Sequence, residues 1–297
     1  MERRNFIRNS SMFFAALALM KDKAFAGLSD SFNIRMLTKE IGIFSEKGGT
    51  ILFYLSKDGY VVIDAQFPET AVHLVDELKK KSDTFRLLIN THHHFDHTSG
   101  NIVFKDLVPH VLAHENSKTN QQKKAEEDRN TDKQLFPNQT YTDTWCEKFG
   151  KEEICLHYFG PAHTSGDSIV HFKKANIVHL GDLVFNRKHP FIDKSAGGDI
   201  ANWIKLLDHC TSTFSRKTTY VCGHSITGYD VVVKAEDLTA FRDYLRNLLL
   251  YTSAQISAGK TKDQILKATE IPGSPQWTGD IVRPLSAAYN ELTSKFE

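Results

Sequence analysis

The 297-residue sequence has no surplus of charge: 37 lysines and arginines stand against 36 aspartates and glutamates, a formal net charge of +1. Without a basic surplus there is no electrostatic footprint for a nucleic-acid backbone. No membrane-length apolar run is seen either, since the stretch Met12 to Met20 falls well short of the ~20 residues of a crossing helix. Linkers, low-complexity blocks and short-period repeats are absent too, so the chain reads as one globular domain able to bury a full core. The 40% hydrophobic and 25% charged composition fits a globular enzyme.

What is present is concentrated. Residues 91–97 read Thr-His-His-His-Phe-Asp-His and bring His92, His94, Asp96 and His97 together. Imidazole nitrogen and carboxylate oxygen are the ligands zinc accepts. On an extended segment His92 and His94 project the same way, and Asp96 and His97 follow past a turn, placed for a second ion. A solvated histidine-rich loop or a tag is the plain alternative, but tags sit at termini and do not interleave an aspartate. The strand-like run Arg86 to Asn90 delivers the motif to a strand's carboxyl end, where α/β sites form. Similar grammar recurs downstream. His163 lies in the loop Gly160-Pro-Ala-His-Thr-Ser-Gly-Asp167, Asp182 follows Ile177-Val-His-Leu-Gly, and His224 follows Tyr220-Val-Cys-Gly.

With these motifs the chain resembles the metallo-β-lactamase superfamily of metallohydrolases, from about Asn33 to about Ile226. The resemblance implies that His92, His94 and His163 hold a first metal, that Asp96, His97 and His224 hold a second, and that Asp182 bridges the two. Asp96 and Asp182 are then the catalytic carboxylates. It also implies an α/β (α+β) fold, a four-layer αββα sandwich of two mixed β-sheets flanked by helices, with a helical tail after His224. The nitrogen-rich ligand set favours two Zn2+, although iron or manganese can occupy such sites.

These residue types suit a hydrolytic reaction. Two divalent ions about 3.5–4 Å apart share a water and lower its pKa, so that a bridging hydroxide exists at neutral pH. One ion polarises the substrate carbonyl while the other stabilises the developing negative charge. Neutral imidazoles leave the ions strongly Lewis acidic, because only Asp96 and Asp182 offset their charge.

Neighbouring residues carry milder expectations. His93 should face away from the ligands, toward solvent or a supporting partner. His114 should be a surface or capping residue, and His171 and His179 satisfied core or sheet-face histidines. Asp167 should support the His163 loop. Asn186 to Pro190, with Arg187, Lys188 and His189, is the candidate substrate-facing loop, a solvated turn being its equal alternative. Cys146 and Cys155 become directly opposed if Gly150-Lys151 forms a two-residue turn. A disulfide is then allowed in an oxidising compartment, but two separate thiols are the default expectation. Cys210 and Cys222 read as core residues.

The amino terminus has the basic run Glu2 to Arg8, a short apolar region and Ala24-Phe25-Ala26, which together read as an export signal, residues 1–26, cleaved before Gly27. The paired Arg3-Arg4 with Phe6 and Ile7 resembles a twin-arginine signal, which implies the twin-arginine export machinery as a transient partner and a periplasmic or otherwise exported destination. Its removal brings the net charge near −2, and residues 27–297 are expected to form one hydrolase domain without a stable membrane anchor. Strands are expected at Ile51 to Leu55 and Tyr60 to Asp64, joined at Lys57-Asp58-Gly59. Helices are expected at about 69–81, 200–210 and 235–258, and Asn116 to Lys133 as a surface helix and loop shaping a groove rim.

The bond cut is the least legible feature. True β-lactamases with a cysteine ligand place it where Asp182 stands, with a lysine three residues later where this chain has Phe185. The oxygen-reducing diiron branch has glutamate in place of one motif histidine, and His94 argues against it. An aspartate bridge is nearer to glyoxalase II-like thioesterases and lactonases, yet the tail has no glutathione-recognition signature. The expectation is a dinuclear zinc hydrolase acting on a small-molecule ester, thioester, lactone or lactam. A periplasmic β-lactamase and a non-catalytic metal-binding or sensing module are the alternatives.

Overall fold

A computed structural model describes residues 32–294. The expected export segment lies outside these residues. From Ile34 onward the described residues form one compact unit, and among them no helix is long and apolar enough to cross a membrane.

Two mixed sheets make the inner layers. The first runs in the order β1 (Asn33–Met36), β2 (Ile41–Ser45), β3 (Ile51–Tyr54), β4 (Tyr60–Ile63), β5 (Phe85–Ile89), β6 (Val111–His114), β7 (Gln139–Tyr141). The second has β8 (Thr144–Phe149), β9 (Glu152–His157), β10 (Ile169–Phe172), β11 (Ile177–His179), β13 (Thr219–Val221) and β15 (Val232–Val233), with β13 between β11 and β15. A short parallel pair, β12 (Phe185–Asn186) with β14 (His224–Ser225), completes the strands among the described residues.

The pleat explains the layering. Alternate residues of β2 to β5, including Ile43, Leu52, Ile63 and Ile89, pack against Ile154, Leu156, Val170 and Phe172 of the other sheet. Their opposite-facing neighbours Phe53, Val62 and Leu88 are equally buried, so the strands are covered on both faces. α1 (Pro68–Lys79) supplies an apolar stripe of Ala71, Leu74, Val75 and Leu78. It starts at Pro68 because proline's missing N–H is harmless in the first turn. α4 (Ile200–Thr213), α5 (Ala235–Ser257) and α7 (Val282–Thr293) close the other side, burying Trp203, Leu207, Phe241, Leu245 and Leu285 with Ile169, Val178 and Tyr220. The fold is the expected four-layer αββα sandwich.

Two pairings position the site. β4 and β5 are parallel neighbours in one sheet, and β11 and β13 are parallel neighbours in the other. Their carboxyl ends therefore open at shared edges, and Asp64, the 91–97 motif, Asp182 and His224 all follow those ends.

Other expectations sort by residue. α3 (Glu115–Glu127) and a 3-10 turn at Thr131–Lys133 form the polar segment. His114 caps α3, accepting from Asn116 N at 3.2 Å, but it is 2% exposed and stacked on Tyr158 rather than lying at the surface. His179 is fully buried and donates to Val221 O. Cys146 and Cys155 are paired across β8 and β9 through the Gly150-Lys151 turn, and they are joined by a disulfide. The default of two separate thiols is thus corrected. The register leaves the two sulfurs directly opposite, with Cα atoms 4.1 Å apart. Cys210 and Cys222 are free and buried.

Candidate metal centre

The segment after β5 bends at Thr91 and His92, is extended at His94, then turns into the one-turn helix α2 (Phe95–Thr98). This change from strand to helix separates the motif into two sets. Ligand-type atoms of His92, His94, His163 and Asp182 lie within 4.8 Å of one another, and so do those of Asp96, His97 and His224. Asp182 stands between them: Oδ2 is 4.0 Å from His92 Nε2, 3.6 Å from His163 Nε2 and 3.4 Å from His224 Nε2, while Oδ1 is 3.1 Å from His97 Nε2.

The outer hydrogen bonds decide which nitrogens face inward. His92 Nδ1 meets Thr91 Oγ1, whose own hydroxyl donates to Asp64, so the ring donates at Nδ1. His94 Nε2 lies 3.0 Å from Asp193 Oδ2, and His163 Nδ1 donates to Phe191 O at 2.8 Å. With these tautomers, His92 Nε2, His94 Nδ1 and His163 Nε2 turn their lone pairs toward each other at 3.1 and 2.9 Å. Three converging lone pairs repel unless a cation sits among them. In the second set, His97 Nδ1 lies 2.7 Å from Asp64 Oδ2, and His224 Nε2 lies 3.0 Å from Asp96 Oδ2. His97 Nε2 and Asp182 Oδ1 are buried without hydrogen bonds. Buried atoms left so are costly unless another group satisfies them. The donor set therefore fits two divalent cations.

Electrostatics divide the sets in the same way. Burial, with the nearby His97 charge, holds His92 well below its ordinary pKa. Burial lowers His163 to about 3, so both rings stay neutral. Burial opposes protonation of His224 too, but the Asp182 and Asp96 carboxylates outweigh it and push the ring up to about 9. His97 is likewise raised, burial being overcome by Asp182, Asp64 and Asp96.

Two glycines are required by close approach. A Cβ on Gly223 would lie 2.0 Å from Asp182 Oδ1, and one on Gly49 would lie 2.1 Å from His97 Cε1. The seven expected residues are brought together; of their neighbours, His93 and Asp167 take supporting places allowed for them, and Arg187 departs from expectation. His93 is 6% exposed with Nε2 3.7 Å from Asp193 Oδ2, so it is a supporting residue and not solvent-facing. Asp167 accepts from Thr164 N and Oγ1, bracing the loop after His163. Arg187 does not face the cavity. Its guanidinium pairs with Asp237 at 3.3 Å and lies 4.7 Å from the Trp277 ring, because the chain at Arg187 adopts φ 59°. Lys188 and His189 do line the cavity, although the His189 ring is tied to Tyr244 Oη at 2.8 Å.

The cavity over the centre has a volume of about 800 Å³. Phe67, Phe95, Phe185 and Phe191 give it apolar surface, and α3 contributes a polar rim through Asn120, Lys123 and Glu127. Phe95 is 68% exposed between two ligand-type residues, and its ring lies 5.9 Å from that of Phe67. Sequence reasoning missed Asp64, Asp193 and these phenylalanines. Asp64 alone carried a signal, as a carboxylate ending a strand.

Fold and site define a metal-binding hydrolase class. The sequence model of the metallo-β-lactamase superfamily matches residues 46–224, and the chain belongs to that superfamily. It is 21% identical to metallo-β-lactamase IND-1 of Chryseobacterium indologenes over 227 residues, 73% of this chain and 92% of the relative. It is 25% identical to a probable hydroxyacylglutathione hydrolase of Schizosaccharomyces pombe over 212 residues, 70% of this chain and 75% of the relative. Among solved structures, a metallo-β-lactamase from Pontibacter korlensis aligns with a TM-score of 0.62 at 18% identity, covering 73% of this chain and all of that one. A double mutant of the sec-alkyl sulfatase PisA1 aligns with a TM-score of 0.67 at 14% identity, over 88% of this chain and 50% of the sulfatase. These structural likenesses speak for the fold.

Proposed function

We propose that the protein is an exported dinuclear zinc hydrolase that cleaves a small carbonyl substrate, an ester, thioester, lactone or lactam. The observation that carries this reading is the set of inward-facing nitrogens and carboxylate oxygens around Asp182. His92, His94 and His163 would hold one ion, Asp96, His97 and His224 the other, and Asp182 both. When bound, the ions supply a water acidic enough to attack at neutral pH and a Lewis acid for the carbonyl. The chain's own residues do the rest. Phe67, Phe95 and Phe191 offer the substrate's carbon skeleton an apolar wall beside the centre, and Lys188 offers a cation to a polar substituent. Asp64 and Asp193 hold ring orientation from behind.

Similarity to IND-1 keeps a β-lactam among the substrates to be tried. Asp182 and Phe185 weigh against the cysteine-bearing β-lactamase pattern, since Phe185 is 3% exposed and stacked on His224. Export is supported by the N-terminal pattern and by the disulfide, which suits an oxidising compartment. The test is elemental analysis followed by a hydrolysis panel of β-lactams, homoserine lactones and acyl thioesters. Two zinc equivalents with turnover of one class are expected. Two tightly held ions with no turnover across the panel would favour a sensing module, and no bound metal would refute the reading.

A further inference from the structure

One short segment, residues 191–193, orients two of the three histidines of the first set. Phe191 O accepts from His163 Nδ1 at 2.8 Å, Asp193 Oδ2 lies 3.0 Å from His94 Nε2, and Asp193 N donates to His163 O at 3.0 Å. The segment lies in neither sheet, with only a one-turn 3-10 helix at Lys194–Ala196 behind it. Hydrogen bonds from Ser165 N to Ala196 O and from Asp199 N to Ala162 O, each 2.8 Å, tie it to the His163 loop, and α7 adds a further hold. Glu291, 5% exposed on that helix, accepts from Lys194 Nζ at 3.0 Å and from the first N–H groups of α4, Ile200 at 2.8 Å and Ala201 at 3.0 Å. Lys194 Nζ also donates to Gly198 O at 2.6 Å, and Gly198 N donates to Asp193 O at 2.7 Å, closing the turn. On the same helix, the Arg283 guanidinium lies 5.6 Å from the Phe191 ring. All of α7 lies beyond the stretch that matches the superfamily model.

We propose that Glu291 is a positioning residue for the first metal ion: through Lys194 and the start of α4 it fixes residues 191–193, and with them the inward nitrogens of His94 and His163. The inference rests on the two-ion reading above and adds a dependence of one ion on the carboxyl-terminal helix. The second set is held differently. His97 is oriented by Asp64 at the end of β4, in the other sheet. A merely structural link between helices would disturb both ions alike, whereas this route reaches only one.

The test titrates metal-free protein with Zn2+ by calorimetry and with Co2+ by visible absorption, comparing wild type with Glu291→Gln, Lys194→Met and Asp193→Asn. Glu291→Gln keeps the side chain's shape and removes the charge facing Lys194. Expected is a weakening of one ion by about tenfold or more, the same ion that His92→Ala loses, with the other ion unchanged. Glu291→Gln added to Asp193→Asn should weaken that ion by less than the two single effects combined, since they share the branch through His94. Melting curves of the metal-free variants establish that they fold, and if Glu291→Gln does not, Lys194→Met decides. Unchanged binding of both ions, or equal weakening of both, overturns the proposal and leaves the two-ion reading intact. A wild-type protein that binds no metal overturns both together.

Discussion

His97 Nδ1 lies 2.7 Å from Asp64 Oδ2, and the same carboxylate accepts from the Thr91 backbone N–H and hydroxyl, each at 2.7 Å. Both residues are fully buried. One side chain therefore orients His97 and pins the start of the 91–97 motif. Asp64→Ala is expected to weaken the second ion by about 10–100-fold and to destabilise the protein by about 2–4 kcal/mol, because it leaves buried donors unpaired. Zinc titration and thermal melting measure the two effects, and wild-type zinc binding in this variant would contradict the assignment.

Asp182→Asn should affect turnover more than metal retention. The amide keeps the shape but loses the charge shared by the two ligand sets, while six other ligands remain. A fall in turnover on the order of a hundredfold is expected, with metal content measured on the same sample. Full activity with both metals present would remove Asp182 from the mechanism.

Gly223→Ala should damage the site through space alone. Its new methyl would lie 2.0 Å from Asp182 Oδ1, against a carboxylate already held between two histidines. Loss of metal is expected, together with a lowered melting temperature that reflects an overpacking cost of about 1–3 kcal/mol. A variant indistinguishable from wild type would mean that Asp182 is free to shift.

Removing the Cys146–Cys155 bridge should cost about 2–3 kcal/mol, the range for a short closed loop in the chain-entropy account. Double Cys→Ser substitution and reductant should lower the melting temperature alike. Thiol counting on unfolded, unreduced protein should find only Cys210 and Cys222. Four reactive thiols in exported protein would show the bridge is not formed.

His171 should make stability sensitive to mild acid. Burial first, then the charges of His157 and Lys173, lower its pKa to about 4. The folded state thus disfavours the proton that the unfolded chain accepts near ~6.5. The contribution is fully present above that value and declines as pH falls toward about 4. His171→Gln should flatten the decline in melting temperature between neutral pH and pH 5, and an unchanged slope would discount this residue.

The local grammar of the site was legible because most ligand-type residues follow a short apolar run at a strand's end, with His163 set apart in a Gly-Pro loop. Asp193 and Phe191 were not legible, since their roles exist only where a distant loop packs against His94 and His163. Arg187 misled because its sequence position beside Lys188 says nothing of a positive φ that turns it toward Trp277. The cysteine pair was seen as opposed, but pairing alone does not tell a bond from two thiols.

The ligand residues come from both layers of strands. His92, His94, Asp96 and His97 follow β5 of the first sheet, whereas His163 and Asp182 lie in connections of the second and His224 opens β14, just past β13 of that sheet. An ion among them would be a rivet through the seam of the sandwich, so occupancy and folding would become one equilibrium. At an ion concentration a thousand times the dissociation constant, each such rivet adds about 4 kcal/mol. Chelation would then loosen the protein first along the line where the two sheets meet, and metal supply would set how long the folded chain survives.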